Sequence, residues 1–217
     1  GVVGHAHDGG NEAAGRLGAY DPTRSLHASQ RLVSHGPLPT TGQLEMHGRV
    51  SAVLDKGKAA LLQIEVSSPE FLATYDIFLP GMGGFGGDRG PATPTAEPAE
   101  LDHTSNYLTS RNLAALYRLT GDRHPVHIDP DVAAANGFDR PILHGLCTLG
   151  IATRIVADQN GAHPADLTEL SVRLAAPVLP GDEIEVLSGT RDGVVHFEAR
   201  VGETTVLKAG TAVFREA

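Results

Sequence analysis

The order of apolar and polar positions divides the chain into a strand-patterned half, a glycine-rich break and a half that mixes helix with strand. Residues 43–80 alternate in twos, the period of a strand with one covered face. In QLEMHGRVSAVLDKG the apolar positions are Leu44, Met46, Val50 and Ala52, with Gly48 as the expected bulge. Lys56-Gly57 predicts a hairpin turn into KAALLQIEVSS, and EFLATYDIFLP supplies a further strand through Phe71, Tyr75, Ile77 and Leu79. Residues 1–42 are turn-rich. They predict a short helix over residues 11–17, capped by Asn11, and a short strand within LHASQRLVSHGPLPTTG.

The segment GMGGFGGDRG carries too much glycine for regular structure, and PATPTAEPAELD reads as an extended linker. Beyond it, residues 105–119 predict a helix and GDRHPVHIDPDVAAANGFDRP an irregular stretch. Residues 142–158 predict a second helix, apolar nearly all round and therefore wrapped by other structure. TELSVRLAAPV, EIEVLSG, VVHFEARVG and TTVLKAGTAVFRE then read as strands separated by the turns PGDE, RDGV and GE. A buried helix against an antiparallel sheet is an α+β arrangement. The expected division is 1–90, a linker at 91–104, and 105–217.

Composition narrows the functions. A formal charge of −9 over 217 residues argues against a nucleic-acid surface. No apolar run reaches the roughly 18 residues of a membrane helix. The single cysteine, Cys147, excludes an internal disulfide framework and suits a reducing compartment. The chain opens at Gly1 without a secretory pattern, which predicts a processed, trimmed or incomplete N-terminus.

The densest polar cluster is TGDRHPVHIDPD: Asp122, Arg123, His124, His127, Asp129 and Asp131, stiffened by Pro125 and Pro130. Asp122 and His127 suit a carboxylate–imidazole acid/base pair, because histidine titrates near neutrality and a carboxylate orients it or shares the proton work. The same residues suit a capped turn of ordinary Asp, Gly and Pro. A metal reading through Asp122, His124, His127 and Asp129 lacks a known ligand spacing, so no metal is expected. In PILHGLCTLG the predicted helix starts near His144 and Gly145. Free amides there could form an oxyanion hole, or Gly145 could serve close packing. Cys147 reads as core. His27, His35 and His47 read as strand or turn residues.

YRLTGDRHPVHIDPDVAAANGFDRPILHGLCTLG resembles the hydratase 2 motif of the MaoC-like (R)-specific enoyl-CoA hydratases, and the likeness continues through RLAAPVLPGDEIEV. LHASQ, GPLPTTGQL, DKGKAALL and GGFGGDRG resemble the first repeat of that family's double hot-dog members, such as the hydratase part of peroxisomal multifunctional enzyme type 2. The resemblance implies two hot-dog repeats, each a sheet wrapped around a helix. The first is degenerate and short of much of its central helix; the second is catalytic. It implies reversible hydration of trans-2-enoyl-CoA to the (3R)-3-hydroxyacyl-CoA, with Asp122 and His127 as the acid/base pair and the Gly145 N–H on the thioester oxygen.

His124 stands where the family has an active-site Asn, and it is carried as a catalytic position. His144, Leu146, Arg123, Gly84, Phe85 and Gly86 are the expected substrate-binding positions. Arg89, Arg123 and Arg173 are unranked candidates for CoA phosphates. No cofactor is implied beyond the CoA of the substrate. The expected partners are an acyl-CoA or acyl-carrier thioester and a second copy of the chain, in the cytoplasm or the peroxisome. Three alternatives stay open: a non-catalytic thioester-binding protein, a carrier-protein dehydratase and a thioesterase. The Asp122/His127 spacing and the HGLC segment favour a hydratase over the thioesterase.

Overall fold

The computed structural model describes residues 25–91 and 100–215. The helix expected over residues 11–17 lies outside the described residues. Nine antiparallel strands form one sheet in the order β2-β3-β4-β1-β6-β9-β8-β7-β5. The first four are β1 (Leu26–Ser34), β2 (His47–Asp55), β3 (Ala59–Ser67) and β4 (Phe71–Pro80). The other five are β5 (His103–Leu108), β6 (Leu167–Leu174), β7 (Glu183–Arg191), β8 (Val194–Val201) and β9 (Thr204–Phe214). Among the described residues three α-helices accompany them: α1 (Leu113–Tyr117), α2 (Pro130–Ala135) and α3 (Gly145–Gln159).

The helix α3 is held by the second half of the sheet. Cys147, Leu149, Ala152, Ile155 and Val156 are buried with Leu170 and Val172 of β6, Ile184 and Val186 of β7, Val195 and Phe197 of β8, and Val206 and Ala212 of β9. Only a narrow strip of α3 is exposed, at Gly150, Arg154 and Asp158, the spacing of one helix face. This is the wrapping that an all-round apolar helix demands. At its C-terminal end Gln159 ties two strands together: its amide donates to Ser105 Oγ (3.0 Å) and its carbonyl accepts from Ser188 Oγ (2.6 Å).

The first half joins this core through β1, which lies between β4 and β6. Leu32 pairs with Ala73 on one side and Leu170 on the other, and packs against the apolar clusters of both halves. Strands β1 to β4 carry no helix among the described residues. Their own buried side chains are small to medium, such as Ala60, Leu62, Val66, Phe71, Ala73 and Leu79.

Several expectations change. Residues 103–108 form β5, not the start of a helix; Ser105 and Tyr107 alternate with exposed neighbours and pair with Val186 and Ile184 of β7. The sheet edge therefore overrides helix propensity there, and only residues 113–117 are α-helical. The bulge in β2 falls between Val50 and Ala52, not at Gly48, which pairs regularly with Val66. The supposedly irregular stretch contains a 3₁₀ turn at Pro125–His127 and α2. The main helix starts at Gly145, not at Ile142. Ile142 donates to the Val126 carbonyl (3.3 Å) and Leu143 to the Val178 carbonyl (2.7 Å), so both are pinned outside it.

The glycine-rich segment after β4 is folded around one carboxylate. Asp55 is 6% exposed and accepts from the amides of Gly57 (2.7 Å), Gly84 (2.8 Å) and Gly86 (2.8 Å). These amides, Gly84 first, hold the Asp55 carboxyl below its usual value. The β2–β3 hairpin thereby anchors the loop. Replacing Asp55 with Ala should accelerate hydrogen exchange at the Gly84 and Gly86 amides selectively, leaving Val195 and Phe197 protected, as followed by amide NMR.

Candidate active site

The site is built from the loop before α2 and the start of α3. Asp122 follows the 3₁₀ turn Arg118–Thr120, and its Oδ1 accepts from the His124 amide (3.1 Å). His124 caps the next turn: its Nδ1 accepts from the Val126 amide (3.3 Å), with Pro125 in the first helical position. A cap needs an acceptor one or two atoms beyond Cβ, so the imidazole nitrogen does here what an Asn carbonyl would do. Its ring lies edge-on to His127 at 6.0 Å.

That turn presents His127. Its Nδ1–H donates to the Ile142 carbonyl (2.9 Å), which leaves Nε2 as the ring's free acceptor. The ring stacks on His144 with centroids 3.6 Å apart and planes 23° apart. His144 is 1% exposed, packs against the Tyr117 ring at 4.7 Å, and donates from Nε2 to the Asp122 carbonyl (3.1 Å). One buried ring thus holds the Asp122 backbone and the face of His127 together.

Burial, then the neighbouring His144, pushes the His127 imidazole down to about 4, against the opposing pull of the Ile142 bond and the Asp122 charge. Burial likewise lowers His144. It raises the Tyr117 hydroxyl to about 12 and the Cys147 thiol to about 11, so Cys147 is a buried core thiol, as its sequence context predicts.

Asp122, His127 and His144 each offer an atom within 4.8 Å of the others. The same three groups are the ones that could hold a metal. However, His144 donates from Nε2 to a carbonyl, so the nitrogen it could offer is the buried, unpartnered Nδ1. Its ring stacks on His127 with planes 23° apart, which sets the in-plane lone pairs of the two rings nearly parallel, whereas tetrahedral coordination needs them to converge. Two residues of the sequence-based metal reading are spent on caps: Asp129 Oδ1 accepts from Asp131 (2.9 Å) and Val132 (3.3 Å) to start α2, and His124 caps the turn before it. A water between carboxylate and imidazole, with hydrogen bonds of about 2.8 Å at a tetrahedral angle, spans about 4.6 Å. Asp122 and His127 offer atoms no more than 4.8 Å apart, an upper bound close to that span.

The amides of Gly145 and Leu146 open α3 and make no hydrogen bond among the described residues. Gly145 also packs closely: a Cβ there would lie 1.9 Å from Leu174 Cδ2, so the end of that side chain would have to move. Close packing at this glycine leaves its amide available to an acceptor. Leu146 is half-buried and packs against the core. Arg123 is exposed and does not line the cavity beside His127. Phe85 is 52% exposed in the loop anchored by Asp55, and the Gly84 and Gly86 amides serve that carboxylate. Arg173 lies exposed on β6, and the Arg89 carbonyl accepts from Lys56 Nζ.

Three participants had no sequence signal. His27 of β1 lies against Tyr75 (5.7 Å) and donates to the Ser29 carbonyl (2.8 Å), close enough for the Asp122 charge to act on it. Arg111 and Arg140 line a cavity of about 480 Å³ together with His127. Their convergence depends on chain segments far apart in sequence.

Residues 93–211 match the MaoC-like domain, and residues 6–79 match the MFE-2 hydratase 2 N-terminal domain. The chain is 38% identical over 203 residues to 3-hydroxyacyl-thioester dehydratase Y of Mycobacterium tuberculosis, covering 87% of this chain and 70% of that one. It is 36% identical over 199 residues to the mouse peroxisomal multifunctional enzyme type 2, covering 86% of this chain but 27% of the relative. The crystal structure of a MaoC-like dehydratase from Phytophthora capsici superposes with a TM-score of 0.81 at 30% identity, over 92% of this chain and 72% of that one.

Gly145→Ala should cost about 1–3 kcal/mol in urea unfolding, the usual penalty of overpacking. Adding Leu174→Ala should remove the clash, so the double variant should lose less than the two single losses combined.

Proposed function

We propose, since the chain belongs to the MaoC-like dehydratase family and has the hot-dog fold of its structural relatives, that it hydrates trans-2-enoyl thioesters reversibly to (3R)-3-hydroxyacyl thioesters. The observation that carries this reading is the pairing of Asp122 with a His127 whose Nε2 is left as an acceptor by the Ile142 hydrogen bond. Relatives support it by name: an M. tuberculosis relative is a 3-hydroxyacyl-thioester dehydratase, and one from Dictyostelium discoideum is a probable enoyl-CoA hydratase 2.

In the hydration direction, Asp122 and His127 hold one water between them. His127 Nε2 takes a proton from it as the water oxygen bonds to C3 of the enoyl group. The C2=C3 π pair moves toward the thioester carbonyl, and the proton is then delivered to C2. One O–H bond is broken, C3–O and C2–H bonds are formed, and the protein ends as it began. The negative charge that develops on the thioester oxygen faces the Gly145 amide at the positive end of α3. One such donor is worth about 2.7–4 kcal/mol of barrier. No step uses a metal or a resident cofactor; CoA enters as part of the substrate.

In this reading residues 105–217 carry the chemistry, and the described part of the first half, residues 25–90, belongs to a degenerate repeat beside it that places His27 near Asp122. The protein works as a homodimer in the cytoplasm or peroxisome. Among the described residues, no helix is long and apolar enough to cross a membrane.

Turnover of trans-2-enoyl-CoA, followed by loss of enoyl absorbance with chiral analysis of the product, tests this. The (3R)-alcohol is expected, and Asp122→Asn or His127→Gln should each lower kcat roughly 100- to 10,000-fold while the fold persists. A folded parent chain that turns over no enoyl thioester of any length would overturn the reading.

The pH dependence follows from the His127 shift. Its folded value of about 4 lies below the ordinary 6.5, so the neutral base persists through the weakly acidic range. The acid limb of kcat/KM should therefore fall near pH 4, not near 6.5. The stability that this neutral ring contributes is fully present above 6.5, and is lost as pH falls toward 4 because the unfolded chain protonates first.

A further inference from the structure

The cavity that His127 shares with Arg111 and Arg140 is graded from wet to dry. Arg111, Asn112 and Arg140 are exposed at its rim, whereas Ala114 is buried and His127 largely covered. At about 480 Å³ it has the size of a small-molecule site.

The two guanidinium groups are placed by a built latch. Thr109, 2% exposed, donates through its amide (2.9 Å) and its hydroxyl (2.8 Å) to the Asp182 carbonyl. Its hydroxyl accepts from the Gly181 amide (2.9 Å). This clamps the segment leading into α1 onto the turn between β6 and β7. The aliphatic stem of Arg111 lies along Gly181, where an added Cβ would come within 3.4 Å of Arg111 Cγ. Arg140, which lines the same cavity, lies 4.0 Å from Asp182 Oδ1. That carboxylate is also held by the Leu179 amide, at 2.8 Å from Oδ2. Arg111 has no carboxylate partner among the described residues.

A chain of formal charge −9 thus gathers two weakly compensated arginines at the rim of the cavity that reaches its candidate base. Guanidinium forks match phosphate oxygens, and uncompensated pairs of them call for an anion. We infer that Arg111 and Arg140 form a cradle for the phosphate end of a pantetheine-bearing thioester, with the pantetheine arm running through the cavity toward His127. The inference rests on the hydratase reading for its thioester, but the cradle is tested by binding alone. It replaces Arg89, Arg123 and Arg173, none of which lines this cavity.

Calorimetric titration of the whole chain with CoA, 4′-phosphopantetheine and unphosphorylated pantetheine tests it. CoA should bind roughly tenfold more tightly than pantetheine, and the Arg111→Ala/Arg140→Ala double variant should lose that advantage. Circular dichroism should show the fold retained, because both side chains are exposed. If 4′-phosphopantetheine shares the arginine-dependent advantage, the phosphate common to CoA and carrier proteins occupies the cradle. If only CoA has it, the nucleotide phosphates do; either result upholds the cradle. Equal binding of CoA and pantetheine, or a CoA advantage that survives in the double variant, overturns it. Arginine-dependent CoA binding without turnover of any enoyl thioester would instead keep the cradle and remove the hydratase reading.

Discussion

The hydrogen bond from His127 Nδ1–H to the Ile142 carbonyl is the constraint on which the site depends. It selects the ring's tautomer and so decides which nitrogen can act as a base. It also couples two chain segments that must be in register for the chemistry. Ile142 is itself held by the Val126 carbonyl, one residue before His127, and Leu143 is held by Val178. These bonds stop the helix from starting early and leave the Gly145 amide at its open end. His144 closes the arrangement from behind, with its ring against His127 and its Nε2 on the Asp122 backbone. A single backbone trajectory therefore sets the His127 ring, the Asp122 carboxylate and the Gly145 amide at once, the three groups that the proposed hydration uses.

The sheet makes that trajectory rigid. α3 is enclosed by five strands of the second half, so its first turn has little freedom to shift. The first half reaches the site through β1, which brings His27 toward Asp122 and shares Leu32 with the main core. Without a helix among its described residues, this half buries mainly modest side chains and spends a buried carboxylate, Asp55, on ordering its glycine loop. The two halves thus contribute unequally: the second packs around α3 and lines the cavity beside His127, and the first approaches through His27 and Leu32 of β1.

Much of this was legible in the residues. Alternation located β2, β3 and β4, turn residues bounded the strands after residue 160, and all-round apolarity announced the wrapped helix. The motif from Tyr117 to Gly150 marked Asp122, His127 and Gly145 together with the family. What failed was local signal that long-range pairing overrode. Residues 105–108 contain no strong strand signal, yet they are recruited by the edge of β7. Asp129-Pro130 is a helix-start signature that proline content obscured. His144 looked like a substrate contact because it adjoins Gly145; its stacking behind His127 depends on a turn 17 residues earlier. Arg111 and Arg140 had no signal at all, since their approach depends on the turn at Pro180–Asp182.

The central claim is that His127 rests neutral with its proton on Nδ1 and its Nε2 open to water. Nitrogen NMR of the ring in ¹⁵N-histidine-labelled protein near pH 7 tests this most directly. The account predicts a protonated, pyrrole-type Nδ1 and a bare, pyridine-type Nε2 for His127. A proton on Nε2, or on both nitrogens, would contradict it.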